Sequence, residues 1–294
     1  FLMRKFDRVS AISPRMAERL LTKGVESPRR VVFPNWVDTA RIYPLSTPSP
    51  LREELGISER TVVALYSGSM GSKHGLKLLV DASRQLSSRP DVRFVFCGDG
   101  PHRETFVRLA RECGNVTVLP LQPSERLNEL LNLADIHLLP QMASAADLVM
   151  PSKLTGMMAS GRAIIATADG GTQISDVLAG RGMVTPPGDV DAFASALIRL
   201  SEDPDLRCRM GEEARRYAVA HMDREKILSA FEESIMRICG SSRLHAGKKL
   251  SADEVGSNRY IGLQRNLADA GMSDVSLILG SGEEELRGDG DGKR

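Results

Sequence analysis

From residue 62 onward the chain alternates between two kinds of segment, and this alternation limits its fold more than any other feature. Apolar, β-branched runs occur at VVALY (62–66), VRFVFC (92–97), VTVL (116–119), DIHLLP (135–140) and AIIAT (163–167). Helical patterns separate them. Residues 76–86 place Leu76, Leu79, Ser83 and Leu86 on one side, and 124–134 place Leu127, Leu130, Leu131 and Ala134 on one face. The stretch PSKLTGMMASGRAIIA (151–166) reads as a short helix running into the last of these strands. Strands that alternate with helices imply βαβ units and a parallel sheet. Right-handed crossovers then make a doubly wound layer, with helices on both faces, the expected α/β architecture.

The flanks read differently. Beyond Gly182 the pattern turns helical: 189–204 and 204–222 are expected as surface helices. Residues 223–240 carry Ile227, Leu228, Phe231, Ile235 and Ile238 near helical spacing, with Asp223 placed as a cap and Gly240 as a stop. Residues 1–30 carry a net charge of +5, and Ser13-Pro14 make a helix entry. Residues 45–51, LSTPSPL, read as a linker, with Trp36 expected to pack at the start of the linker. Residues 241–294 are rich in Gly, Ser and charge and are expected to be mostly disordered and dispensable for ligand binding. The chain starts at Phe1 with no signal-peptide pattern, which suggests a piece of a longer protein.

Composition excludes several functions. Aromatics make up 4% of the 294 residues, too few for a base-stacking nucleic-acid binder, and the net charge of +1 gives no global field for nucleic acid. The four cysteines, Cys97, Cys113, Cys208 and Cys239, are widely spaced and read as free thiols of a reducing compartment; no metal site is expected. His74, His102, His137 and His221 form no pair that suggests a base, and His137, inside a strand candidate, reads as structural. No apolar run is long enough to span a membrane.

Three glycine-containing turns follow three strand candidates: YSGSMGSKHG (66–75), CGDGP (97–101) and ADGGT (168–172). Glycines allow close backbone approach, and the free N–H groups of a following helix start attract anions. Gly68 and Lys73 in the first turn, Gly98 and Gly100 in the second, and Gly171 and the cap residue Thr172 in the third each also fit an ordinary strand-to-helix turn. The PSKL helix start adds Ser152 and Lys153 on the same carboxyl edge, where open α/β sheets bind ligands. Together these features suit a nucleotide diphosphate. No GxxxxGK[ST] stretch is present, which disfavours a P-loop ATPase. Lys153 reads as an exposed lysine contributing little to folding. Asp147 could bind sugar hydroxyls or serve as a loop carboxylate or cap.

The motifs DRVSAISPRMAERLLTKGV (7–25), VVFPNWVD (31–38), YSGSMGSKHGL (66–76), VFCGDGP (95–101), ADIHLLP (134–140), DLVMPSKLTGMMASGRAIIAT (147–167), GGT (170–172) and GMVTPPGD (182–189) resemble, in order and spacing, the C-terminal part of a family 4 retaining glycosyltransferase of GT-B architecture. The PSKL form is similar to bacterial exopolysaccharide enzymes, the colanic-acid glycosyltransferases among them. The resemblance implies a remnant of the N-terminal acceptor domain and linker over 1–44, a Rossmann-like donor domain over 45–222, a crossover helix over 223–240 and a tail over 241–294. It implies phosphate contacts from Gly68, Ser69, Lys73, Ser152, Lys153 and Leu154, a base site near Gly98, Gly100 and Leu121, and further contacts at Gly171 and Thr172. Asp147 would be the catalytic candidate.

This sequence departs from the family pattern in places. Where many members carry two glutamates eight positions apart, Gly156 takes the second place, and the first falls near Leu148 beside Asp147. Ser69 replaces a usual Arg, and His74 a usual Lys, with Lys73 one position earlier. The PSKL subgroup tolerates such changes. The expected activity is transfer of a sugar from a nucleotide sugar to a saccharide or lipid-linked acceptor in cell-surface polysaccharide synthesis. It would need no metal or cofactor, would take place in the cytoplasm, and would involve no nucleic acid. A peripheral contact with the inner face of the membrane through the basic segment competes with a plain solvated helix face. The alternatives are a non-catalytic nucleotide-sugar binding module and a nucleotide-sugar epimerase of the same fold.

Overall fold

The computed structural model describes residues 2–71, 75–142 and 150–245. The chain divides into units of 1–238 and 239–294, and the first holds every strand among the described residues. It opens with a small βαβ unit. β1 (Val9–Ala11) and β2 (Arg30–Val32) pair in parallel, joined by α1 (Pro14–Thr22). Ser13 caps α1, accepting from the Met16 N–H at 3.1 Å, and Pro14 fills the first turn, as the sequence suggests.

The expected linker is instead a helix entry. α2 (Pro50–Glu54) starts inside it, with the Ser49 hydroxyl accepting from the Leu51 N–H and Leu51 buried. The Ser-Pro pair that resembles a spacer is also a cap followed by a first-turn proline. α2 is fastened to the sheet by the buried Arg52. Its guanidinium donates to the carbonyls of Ser58 and Thr61 and to the carboxylate of Asp135, which also accepts from the Val63 N–H at 2.8 Å.

The main body follows as β3 (Val62–Ser67), α3 (Leu76–Gln85), β4 (Val92–Cys97), α4 (Arg103–Arg111), β5 (Val116–Leu119), α5 (Leu127–Leu133), β6 (Ile136–Leu139), α6 (Lys153–Ala159), β7 (Ala163–Thr167), α7 (Gln173–Leu178), β8 (Met183–Thr185), α8 (Val190–Glu202), α9 (Pro204–His221) and α10 (Arg224–His245). The six strands β3–β8 form one wholly parallel sheet in the order β5-β4-β3-β6-β7-β8. Side chains alternate between its two faces, as the twofold repeat of a strand requires. Val62, Ala64 and Tyr66 of β3, with Phe94 and Phe96 of β4, join the core beneath α3, α4 and α8. Val63, Leu65 and Val95 face α2 and α5, and Ile164 and Ala166 of β7 face α6, α7 and α9.

Three expectations need correction. The two surface helices also contribute to the core: Phe193, Leu197 and Leu200 of α8 are buried. α9 lays Gly211, Ala214 and Ala218 inward, and a Cβ at Gly211 would come within 2.1 Å of the Gly161 carbonyl. Its buried stripe consists of small residues, so it carries little apolar signal. α4 was missed because RETFVRLAR is mostly charged, although Phe106 and Ala110 are buried. Asp223 does cap α10, but Gly240 does not stop it; the helical backbone continues to His245, into the expected tail. The remainder of that tail, 246–294, lies outside the described residues.

His137 is structural: fully buried, it meets the Ser160 hydroxyl at 2.9 Å, and burial pushes its pKa down to about 3. Much of the basic charge near the N-terminus has local partners. Arg15 pairs with Asp176 at 3.0 Å, and Arg29 and Arg30 donate to the carbonyls of Phe6 and Ala17. Among the described residues, no helix is long and apolar enough to cross a membrane.

Candidate functional site

The strand order reverses direction between β3 and β6. From β3 the chain builds outward through β4 and β5, then returns to the other side of β3 with β6. At such a switch point the loops leaving the two central strands part and open a crevice at the carboxyl edge. The segment after β3 carries Gly68 and Ser69; the segment after β6 leads into α6 with Ser152 and Lys153.

The first two glycine turns interlock. The Gly68 N–H donates to the Cys97 carbonyl at 3.0 Å, the Met70 N–H to the Asp99 carbonyl at 2.7 Å, and the His102 N–H returns to the Met70 carbonyl at 3.1 Å. A Cβ on Gly98 would lie 1.9 Å from the Gly68 oxygen, and one on Gly100 2.9 Å from the Met70 backbone. These glycines let the turn after β4 lie across the turn after β3, and so they set the shape of the first loop.

Lys153 is the centre of the site. It is half-buried, not exposed as the sequence suggests, because its stem lies along the crevice wall beside Gly68. Its Nζ sits 4.5 Å from the centre of the Tyr66 ring and 3.4 Å from the Tyr66 hydroxyl. A Cβ on Gly68 would come within 3.3 Å of that Nζ. The Tyr66 hydroxyl in turn donates to the Ser69 carbonyl. Among the described residues no carboxylate lies within ion-pair distance of Lys153, and burial pushes its pKa down from 10.5 to about 8. A half-desolvated ammonium without a counter-charge is costly unless an anion joins it.

Lys153 opens on a cleft of about 500 Å³ whose walls include Trp36, Arg41, Leu121, Glu125, Asn128 and Gly156. Of the residues expected to form the site, Gly68, Leu121, Ser152 and Lys153 line this cleft; Ser69, Gly98, Gly100, Leu154, Gly171 and Thr172 do not. Ser152 takes the cap position of α6, yet its hydroxyl makes no capping bond. The Leu154 side chain is wholly buried in the core, leaving only its backbone for any contact. Thr172 caps α7, accepting from the Ser175 N–H at 3.4 Å, while the space around Gly170 and Gly171 is open. Lys73 and Asp147 lie outside the described residues.

The sequence reading missed two walls of the cleft. Trp36 does not pack away near a linker; it is 43% exposed and faces the cleft, and its carbonyl accepts from the Thr155 hydroxyl at 3.4 Å. Arg41 lines the same cleft. Neither residue belongs to a periodic pattern, and the only signal was an aromatic in a loop between proline-containing segments. Leu121, 69% exposed, rims the far side. Cys97 also borders the cleft, but its thiol donates to the Pro120 carbonyl and burial pushes its pKa up, so it is no nucleophile.

A slightly larger cavity, about 560 Å³, lies at the opposite, amino edge of the sheet and is lined by Arg162, Arg207, Arg215 and Arg216. Three of these arginines have partners. Arg207 donates to the carbonyls of Leu200 and Ser201, Arg215 to those of Thr39, Ile42 and Ala159, and Arg216 pairs with Glu213. Arg162 donates to the Asn132 side-chain oxygen at 3.0 Å, and its buried Nε has no hydrogen-bond partner among the described residues. Among the described residues, no three His, Cys, Asp or Glu side chains gather where they could hold a metal.

Known proteins resemble this chain in sequence and in fold. WcaI of Escherichia coli (strain K12), named for glycosyl transfer in colanic acid biosynthesis, is 31% identical over 236 residues, covering 78% of this chain and 57% of WcaI. The chain spans about half the length of the curated relatives it matches. Among solved structures, sucrose-phosphate synthase from Thermosynechococcus elongatus aligns with a TM-score of 0.67 at 22% identity, over 80% of this chain and 59% of that one. Anabaena HepE, solved in complex with UDP-glucose, aligns with a TM-score of 0.67 at 19% identity, over 79% and 64%. These structural likenesses show the fold, an α/β layer of the GT-B type. The family described as Glycosyl transferases group 1 matches residues 49–217, more than half of the chain and every strand of the large sheet, and the chain therefore belongs to the group 1 glycosyl transferases.

Proposed function

We propose that this chain is the donor-binding part of a glycosyltransferase that takes a sugar from a nucleoside diphosphate sugar and passes it to a saccharide or lipid-linked saccharide in cell-surface polysaccharide assembly. The single observation that carries the reading is Lys153: a half-buried ammonium with no carboxylate beside it among the described residues, on the wall of a switch-point cleft. A leaving diphosphate gains charge as the glycosidic bond breaks, and a fixed cation in a partly dry site stabilises that charge. The first glycine loop and the Ser152 hydroxyl stand beside it. WcaI, named for colanic acid biosynthesis, and HepE, seen with UDP-glucose, support the substrate class.

Transfer proceeds with retention of anomeric configuration. No metal is required, because Lys153 and backbone N–H groups neutralise the diphosphate. Asp147 is the candidate catalytic group. Residues 1–44 are the end of an acceptor domain, 45–222 the donor domain, and 223–240 the helix returning to the acceptor domain. The chain alone binds donor without turning it over, and the protein works at the cytoplasmic face of a membrane without spanning it.

Calorimetric titration of UDP, GDP and ADP against their nucleosides tests the donor site. Preference for a diphosphate that depends on Lys153 supports the reading, and equal binding of diphosphate and nucleoside refutes it. A full-length parent incubated with nucleotide sugars, with and without acceptor and with and without EDTA, tests the chemistry. Acceptor-dependent release of the nucleoside diphosphate supports transfer, whereas sugar interconversion without acceptor would mean an epimerase. The anomeric proton coupling of the product reads retention directly.

A further inference from the structure

Against the Lys153 ammonium stands the ring of Tyr66. Tyr66 looks like a core residue: it is fully buried at the end of β3, packed among the side chains beneath α3. Its hydroxyl is placed for more than packing. It donates to the Ser69 carbonyl in the glycine loop after β3, and it accepts from the Lys153 Nζ at 3.4 Å, on the helix after β6. The face of its ring lies 4.5 Å from the same ammonium, within the distance at which an aromatic quadrupole attracts a cation. One side chain thus touches both halves of the switch point.

We infer that Tyr66 is a positioning residue for the diphosphate: it holds the Lys153 ammonium against the Gly68–Ser69 loop, so that cation and loop act on the phosphates as one unit. This rests on the diphosphate reading of the cleft. The chemistry fits the task. Burial holds the phenol well above its usual pKa, so it stays neutral across the working range and does not neutralise the lysine as a carboxylate would. A neutral oxygen and a ring face orient the ammonium while leaving its full charge for an anion. The long 3.4 Å contact occupies one of the three ammonium protons and leaves the others for phosphate oxygens.

The charged and titratable groups around the cleft leave Tyr66 in this role. Asp38 is held by Arg224 at 2.8 Å; Glu125 accepts from Ser124 and feels Arg41; Cys97 is a buried thiol bonded to Pro120. None of these described groups pairs with Lys153.

Three proteins test the inference: Tyr66→Phe, Lys153→Met and the double variant, each titrated with inorganic pyrophosphate, UDP, GDP and the nucleosides. Tyr66→Phe keeps the ring and removes both hydrogen bonds. It is expected to weaken pyrophosphate and nucleoside diphosphate binding about three- to tenfold, the equivalent of about one ordinary hydrogen bond, without affecting nucleosides. In the double variant Tyr66→Phe should add no further loss beyond Lys153→Met, because the hydroxyl acts through the ammonium. A second readout needs no ligand. The Lys153 titration, followed by the NMR shift of its Cε, should move below about 8 in Tyr66→Phe by about half a unit to one unit, since an acceptor of the charged form is gone. A purely structural Tyr66 would lower the melting temperature and leave this titration in place. Additive losses in the double variant, or an unmoved Lys153 titration, overturn the inference. Wild-type binding of diphosphates that is indifferent to Lys153→Met would instead overturn the reading on which it rests.

Discussion

Gly98 lies so close under Gly68 that a Cβ would sit 1.9 Å from the Gly68 carbonyl oxygen, and its φ of +152° is one that residues with side chains rarely adopt. Gly98→Ala must therefore move backbone, not a flexible side chain. The expected cost is roughly 3 kcal/mol or more, combining overpacking with backbone strain. Urea denaturation measures it. Because the displaced segment is the first glycine loop, diphosphate affinity should fall in the fraction that remains folded. A variant as stable as wild type would mean that the two turns do not cross.

Lys153→Met separates folding from binding. Below pH 8 the lysine is charged in both folded and unfolded chains, and the folded chain bears the whole desolvation cost. Between about 8 and 10.5 the folded chain releases its proton first, the unfolded chain binds more protons, and stability rises with pH. Above 10.5 the cost is gone. Lys153→Met should flatten this rise in melting temperature and be neutral or stabilising at pH 7. Its diphosphate affinity should fall by about 1.5–3 kcal/mol, the range for a hydrogen bond to a charged group. An unchanged pH profile would place the ammonium in open water.

Trp36 is the only tryptophan in the chain, and it lies on the cleft wall. Its emission should change when UDP or GDP fills the cleft, and the titration should yield the same dissociation constant as calorimetry. Trp36→Ala should leave the melting temperature nearly unchanged, since an exposed residue contributes little to stability. Saturable binding with no spectral response would locate the ligand elsewhere.

At the other edge of the sheet, Arg52→Met removes the guanidinium bonded to Asp135 and leaves its carboxylate the Val63 N–H and the charge of nearby Arg162. The expected loss is about 2–4 kcal/mol in urea, partly recovered by adding Asp135→Asn. Diphosphate binding of the folded protein should not change, because this pair lies away from the cleft. No recovery in the double variant would mean that Arg52 acts through its bonds to Ser58 and Thr61 alone.

The sheet was legible because its strands are buried on both faces and read as unbroken apolar runs such as Val62–Tyr66 and Ala163–Thr167. α4 and α9 were obscured by charge and by small inward residues, since periodicity detects large apolar side chains and not close backbone packing. The glycine turns and the PSKL start pointed to the carboxyl edge, where the structure opens a cleft, but the sequence could not show that Gly98 and Gly100 serve a backbone crossing. Nor could it show that Lys153 is half-buried, because its neighbours Tyr66 and Gly68 come from a distant strand. Trp36 and Tyr66 were missed for opposite reasons: one stands outside any periodic pattern, and the other looks like ordinary core.

The strand order has a consequence for how the site comes into being. β3 and β6 are neighbours in the sheet, but β4, β5 and their helices intervene along the chain. Pairing across such a gap is slow, because the loop must close before the contact is rewarded. Tyr66 and Lys153 meet only when that pairing is made. No contiguous stretch of the chain carries the pocket, so an intermediate holding β3, β4 and β5 alone would not recognise the ligand. A diphosphate of the proposed kind, binding only the finished sheet, would draw the folding equilibrium toward completion, and its occupancy would gauge how much of the chain has closed.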